Sequence, residues 1–325
     1  VELGASALAG IWFLAIYMLG FGFSLGLQVV IARRNGEQQY AETGKTFFQG
    51  LFFLLILAVL LCLLSKIFSP VLLKHLITSD DVYNAVIRYL DWRIWGLLFS
   101  FPFLALRSFL VGITQTKALN MAAFTAVLVN IPLNWLLIFG FDMGISGAAI
   151  ASSFAEMCSL AVLAAYMFRH IDKKVYGLYW RIDITVLKEV FSVSVWSMLQ
   201  FFTSVAIWFL FFVAIERLGE TELAVSNIVR SVSALFSVIV NALAGVTGSL
   251  VSNLIGAGEK KQVFPLCHKI IRLGYATGIP LIAFALFFHQ HIIGAYTENP
   301  AIIQLAWPPF LVMLLNYFFA LPGYV

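Results

Sequence analysis

Asn130 and Asn134 stand four residues apart, with Pro132 between them, in the run VNIPLNWLLIFG (129–140). Residues at i and i+4 share one face of a helix, so two amides are stacked on a segment otherwise made for hydrocarbon. Amide carbonyls are ligands that hard cations accept; amides also bond one membrane helix to another. A second polar pair at the same spacing follows in GISGAAIASSFAE (144–156), where Ser152 precedes Glu156 by one turn. A carboxyl inside an apolar span is costly and by default marks an ion or substrate pathway.

These residues must be positioned by helices that live in lipid. Of the 325 residues 62% are hydrophobic and 11% charged, against about 25% charged in an ordinary soluble domain. With a mean hydropathy of +0.95, the chain cannot cover its own surface with polar groups, and that surface faces hydrocarbon. About nine runs reach the roughly 20 residues a crossing helix needs: 5–31, 46–67, 84–113, 118–140, 145–168, 189–216, 222–254, 263–288 and 301–325. The connections alternate in charge. Arg33, Arg34, Lys45, Lys117, Arg169, Lys173, Lys174, Arg181, Lys188, Lys260 and Lys261 fall in one set; Lys66, Lys74 and Arg217 fall in the other. The positive-inside rule puts the basic set in the cytoplasm and residue 1 outside.

The longest basic connection, 169–188, predicts a joint between an N-terminal bundle (1–168) and a C-terminal bundle (189–325). A repeat agrees with it. LGASALA (3–9) recurs as LGETELA (218–224), RRNGE (33–37) is echoed by GAGE (256–259), and Pro102 is matched by Pro322 at nearly the same interval. Six spans separate the copies, so both run the same way, which is a parallel repeat about an axis along the membrane normal. The expectation is an all-α polytopic protein of two six-helix bundles, with about nine of twelve helices present. One helix would be lacking before the first bundle and two after the second.

Enzyme chemistry is excluded on motifs. No Walker A sequence, GxSxG or HExxH occurs, and no His has metal-ligand spacing. Cys62, Cys158 and Cys267 lie in or beside apolar runs without a pairing pattern and read as small buried hydrophobes. Nothing points to nucleic acid. Among the cations, Arg88 and Arg93 read as interfacial partners of Asp91, and Arg107 and Lys117 as basic chains reaching back to the interface. Arg230, two turns into its span near Asn227, must face protein or water, which makes a cavity between bundles its expected destination. Trp196, Phe201, Phe202 and Trp208 are candidates for stacking on flat aromatic cations.

The run LRSFLVGITQTKALNMAAFTAVLVNIPLNWLLIFGFDMGISGAAIASSFAE (106–156) resembles the signature of the multidrug and toxic compound extrusion (MATE) transporters. VVIARRNGEQQYAETGKTFFQG (29–50) and GSLVSNLIGAGEKKQV (248–263) resemble loops of the same family. The resemblance implies an antiporter in the cytoplasmic membrane, in which inward H⁺ or Na⁺ drives export of small, often cationic aromatic compounds by alternating access. No cofactor beyond the coupling ion is implied, and a monomer is expected. Flippases for lipid-linked saccharides share the architecture and are the alternative; a flippase should line its cavity with several cations. In one family branch the cation site uses an Asn and an Asp on one helix and a Thr on the next. Asn130 matches the Asn, Asn134 replaces the Asp and Ser152 the Thr. Glu156 is then the expected carboxylate, binding H⁺ or Na⁺ beside Asn130, Asn134 and Ser152, with Arg230, Asn227, Trp196, Phe201 and Trp208 expected along the substrate cavity. The other reading of the polar face is interhelical hydrogen bonding.

Overall fold

The computed structural model describes residues 2–77, 79–216, 219–297 and 299–325. Arg217, the start of the second repeat copy at Leu218, and Glu298 lie outside the described residues. Among those described, the elements are helices and turns. The principal helices are α1 (Glu2–Gly36), α2 (Tyr40–Leu76), α3 (Asp80–Arg93), α4 (Leu97–Gly112), α5 (Lys117–Trp135), α6 (Gly144–His170), α7 (Ile184–Glu216), α8 (Glu220–Gly256), α9 (Val263–Phe287), α10 (His289–Gly294) and α11 (Pro300–Tyr324). Hydrocarbon leaves a backbone no partners but its own, so each apolar run closes its hydrogen bonds within itself.

Nine segments of the described residues are long and apolar enough to cross a membrane, as the sequence predicts. The third is one span in two pieces: α3 and α4 join through a tight turn at Ile94–Gly96 to give Asp80–Gly112, 33 residues. The second runs on to His75 and carries Pro70 inside it. The breaks at 37–39, 113–116, 171–183 and 257–259 fall at the basic connections.

The chain divides into two compact units, Val1–Val205 and Ala206–Val325. The division falls inside α7 rather than in the 169–188 connection, because that connection is bound to unit 1. Gln49 on α2 accepts the Asp183 amide at 3.0 Å and donates to the Arg181 carbonyl. Lys45 pairs with Asp183 at 2.7 Å, and Arg34 with Glu189 at 2.6 Å. Trp180 lies against Phe48 and Phe52, and Tyr176 packs edge-on to Phe109. The first turns of α7 follow: Ser194 donates to the Phe23 carbonyl at 3.1 Å. At Gly22 a Cβ would strike the backbone of Met198, so a side chain there would push α1 and α7 apart.

Unit 1 is cored by Phe23, Phe101, Phe109, Leu27, Leu54 and Leu97 from α1, α2 and α4. Unit 2 is cored by Ile228, Val232, Ile282, Phe310, Leu314 and Tyr317 from α8, α9 and α11. Its phenols cross between helices, Tyr317 to the Gly274 carbonyl at 2.8 Å and Tyr275 to the Phe318 carbonyl at 2.9 Å.

Candidate functional site

α5 ends in an unusual way. After Trp135 the helix widens into one π-helical turn, Leu136–Gly140, closed by Phe141 N to Leu136 O at 2.9 Å. Such turns are rare and concentrate at functional sites. Pro132 upstream has no amide to offer the Leu128 carbonyl. Ile131 and Trp135 are exposed on the outer face, whereas Asn130 and Asn134 are half-buried. The Asn134 amide donates to Asn130 Oδ1 at 2.9 Å, and Asn130 donates to Ser152 Oγ on α6 at 3.4 Å. One polar strip therefore runs from Asn134 through Asn130 to Ser152, turned toward α6 as expected.

Glu156 is not bonded to that strip. Its carboxylate is gripped from α3: Arg93 Nη2 lies 2.5 Å from Oε1 and Nη1 lies 2.9 Å from Oε2, a bidentate pair. Ser100 on α4 donates to Oε2 at 2.6 Å. The Arg93 guanidinium is also stacked on the Phe13 ring, 3.8 Å from its centroid. The pair sits at the α3–α4 junction, where Gly96 makes its room: a Cβ there would collide with the Arg93 guanidinium, the Glu156 carboxylate and Ser153 Oγ. The side chains of Arg93 and Glu156 are 10% and 28% exposed, so the carboxylate is the more accessible partner.

Arg93 thus has a different partner from the one read in the sequence, and so does Asp91, which pairs with Lys66 at 2.5 Å. Helix geometry explains it: residues two apart point about 200° away from each other, so Asp91 and Arg93 cannot share a face. Arg93, Gly96 and Ser100 follow at i, i+3 and i+7, a one-face spacing that could have revealed the partners of Glu156. Arg107 is half-buried, and its Nη1 is enclosed.

The remaining candidates are dispersed. In unit 1 Trp196 is 73% exposed, and Phe201 is half-buried, edge-on to Phe21 at 5.1 Å. In unit 2 Trp208 is exposed beside Phe211, and exposed Arg230 donates to half-buried Asn227 at 3.5 Å. Among the described residues no three His, Cys, Asp or Glu side chains gather as metal ligands. A cation held here would depend on amide and hydroxyl oxygens with one carboxylate.

The fold and this site can be set beside known proteins. The multidrug resistance protein NorM of Vibrio cholerae serotype O1 is 23% identical over 317 residues, covering 94% of this chain and 68% of the relative. A probable multidrug resistance protein NorM of Shewanella oneidensis is 26% identical over 322 residues, with the same coverage. A solved structure of the outward-facing conformation of a multidrug resistance MATE family transporter of the MOP superfamily superposes with a TM-score of 0.87. It is 21% identical and covers 99% of this chain and 75% of that one. The MatE family model matches residues 1–136 and 197–325, the greater part of both units, and the chain belongs to that family, the MATE transporters.

Proposed function

We propose that this protein is a cation-coupled antiporter of the cytoplasmic membrane that exports small organic compounds, many of them aromatic cations, by alternating access. Its basic connections face the cytoplasm. The observation that carries the proposal is the Glu156 carboxylate, half-buried within membrane-length helices and shared between Arg93 and Ser100. An acid kept in such a place is a functional candidate. A proton on Glu156 and the guanidinium of Arg93 compete for the same oxygens. The two occupancies are alternatives, so protonation biases the α3–α6 contact between two arrangements, as a local charge switch requires. Asn130, Asn134 and Ser152 lie on the adjoining strip and supply neutral oxygens to a Na⁺ ion, should Na⁺ be the coupling ion. The names of the curated relatives support multidrug export over lipid-linked saccharide flipping.

Transport of a fluorescent aromatic cation in proteoliposomes holding the full-length protein, under an imposed pH or Na⁺ gradient, tests the reading. Glu156→Gln should abolish gradient-driven transport while leaving probe binding intact. Arg93→Gln with Glu156→Gln, which removes both charges, should fold and remain uncoupled. Transport by Glu156→Gln at the unmutated rate would overturn the proposal, and the gradient that drives the unmutated protein identifies the ion.

A further inference from the structure

We infer that Arg107 anchors a site for the acid group of an aromatic carboxylate. A guanidinium keeps its charge at every physiological pH. Arg107 stands five residues before the end of α4 at Gly112, and its Nη1 is enclosed without a hydrogen-bond partner among the described residues. An enclosed guanidinium nitrogen left without a partner is costly, so such a group is held for an opposite charge.

The Glu156 carboxylate is engaged elsewhere. Both oxygens of Glu156 are taken by Arg93, and Ser100 adds a third donor. Among these described residues, Arg93, Arg107 and Glu156 sum to one positive charge. The Tyr17 ring lies against Phe13, Phe21 and Phe101.

The surroundings select what the anion is attached to. The Phe21 ring lies 5.7 Å from Arg107 Cζ, stacked on Tyr17 at 6.3 Å and edge-on to Phe201 at 5.1 Å. Arg107, Tyr17, Phe21 and Phe201 are all half-buried, so part of each side chain stays open around the enclosed Nη1. Three rings beside one planar fork fit an aromatic ring carrying a carboxylate: the fork takes the acid in two parallel hydrogen bonds and the rings take the hydrocarbon. A pyrophosphate, with more charge, would need more than one guanidinium.

The test uses the full-length protein in nanodiscs and two probes that differ in charge alone, 2-naphthoate and its methyl ester. Titration should show naphthoate binding to the unmutated protein. Arg107→Gln should weaken it by at least about tenfold, the loss of one charge-assisted contact, with ester affinity unchanged. Arg107→Lys, a point charge in place of the fork, should fall between. Phe21→Leu should weaken both probes alike and shows that the wall is used even where Arg107→Gln fails to fold. Equal losses for the two probes in Arg107→Gln, or none, would overturn the inference. So would displacement of naphthoate by dilute phosphatidylglycerol, which would assign the guanidinium to a lipid headgroup. Binding is measured without any gradient, so a protein that binds naphthoate but exports nothing refutes the proposed function and leaves this site standing.

Discussion

Removing the charge of Glu156 leaves Arg93 as a guanidinium with 10% of its side chain exposed and its carboxylate partner gone. Breaking a buried pair by taking away one partner costs about 3–5 kcal/mol. Glu156 is 28% exposed, which admits some screening, so the lower figure of about 3 kcal/mol applies here. An ordinary interhelical hydrogen bond in a membrane contributes about 0.6 kcal/mol, and the gap between the two numbers is what an experiment can resolve. Glu156→Gln and Arg93→Gln should each lower unfolding free energy in bicelles by about 3 kcal/mol. The double variant, with no orphaned charge, should lose less than the sum, giving a coupling energy of at least about 2 kcal/mol. Steric trapping or reversible unfolding in mixed micelles supplies the four free energies of the cycle. Additive losses, or a single loss near 0.6 kcal/mol, would show that the pair is incidental and would remove the physical basis of a switch at Glu156.

Gly96→Ala places a methyl group against the ion pair and Ser153; overpacking of this kind should cost about 1–3 kcal/mol in the same assay. Asn134→Asp should keep gradient-driven transport and change its pH dependence, because it adds a titratable group to the Asn130–Ser152 strip; pH profiles of proteoliposome transport measure it. Asp183 is held below the usual carboxylate range by its hydrogen bond to Lys45, then by the amides of Val186 and Thr185. Its contribution to docking the 171–183 connection is complete above the ordinary carboxylate value and is lost as pH falls through the lower, folded one. Lys45→Met should move that acid release to higher pH, read from the labelling rate of a cysteine at Lys174.

Span number and the positions of the connections were legible because hydrophobic length and charge placement are local properties. Nine apolar runs and the basic connections at 33–45, 113–118, 169–188 and 256–262 could be marked without any contact being known. The inward turn of Asn130 and Asn134 was legible for the same reason: a polar strip on a lipid-exposed helix has one tolerable direction. The partner of Glu156 was not legible. Counting residues placed Glu156 one turn from Ser152, yet the two side chains diverge, Ser152 to α5 and Glu156 to α3 and α4. Arg93 was assigned to Asp91 by nearness in sequence, although a helix points those two residues to different sides.

By itself the sequence determined an all-helical membrane protein, its crossings and its resemblance to the MATE transporters, since these rest on composition, periodicity and motif. Only the tertiary structure decided which charge answers which, that Glu156 is taken by Arg93 and that Arg107 Nη1 lies enclosed. It also placed the division of the two units inside α7. The reason is physical: a helix fixes the direction of each side chain, but the partner standing there belongs to another helix, and its identity follows from packing that brings together Arg93 and Glu156, 63 positions apart in the chain.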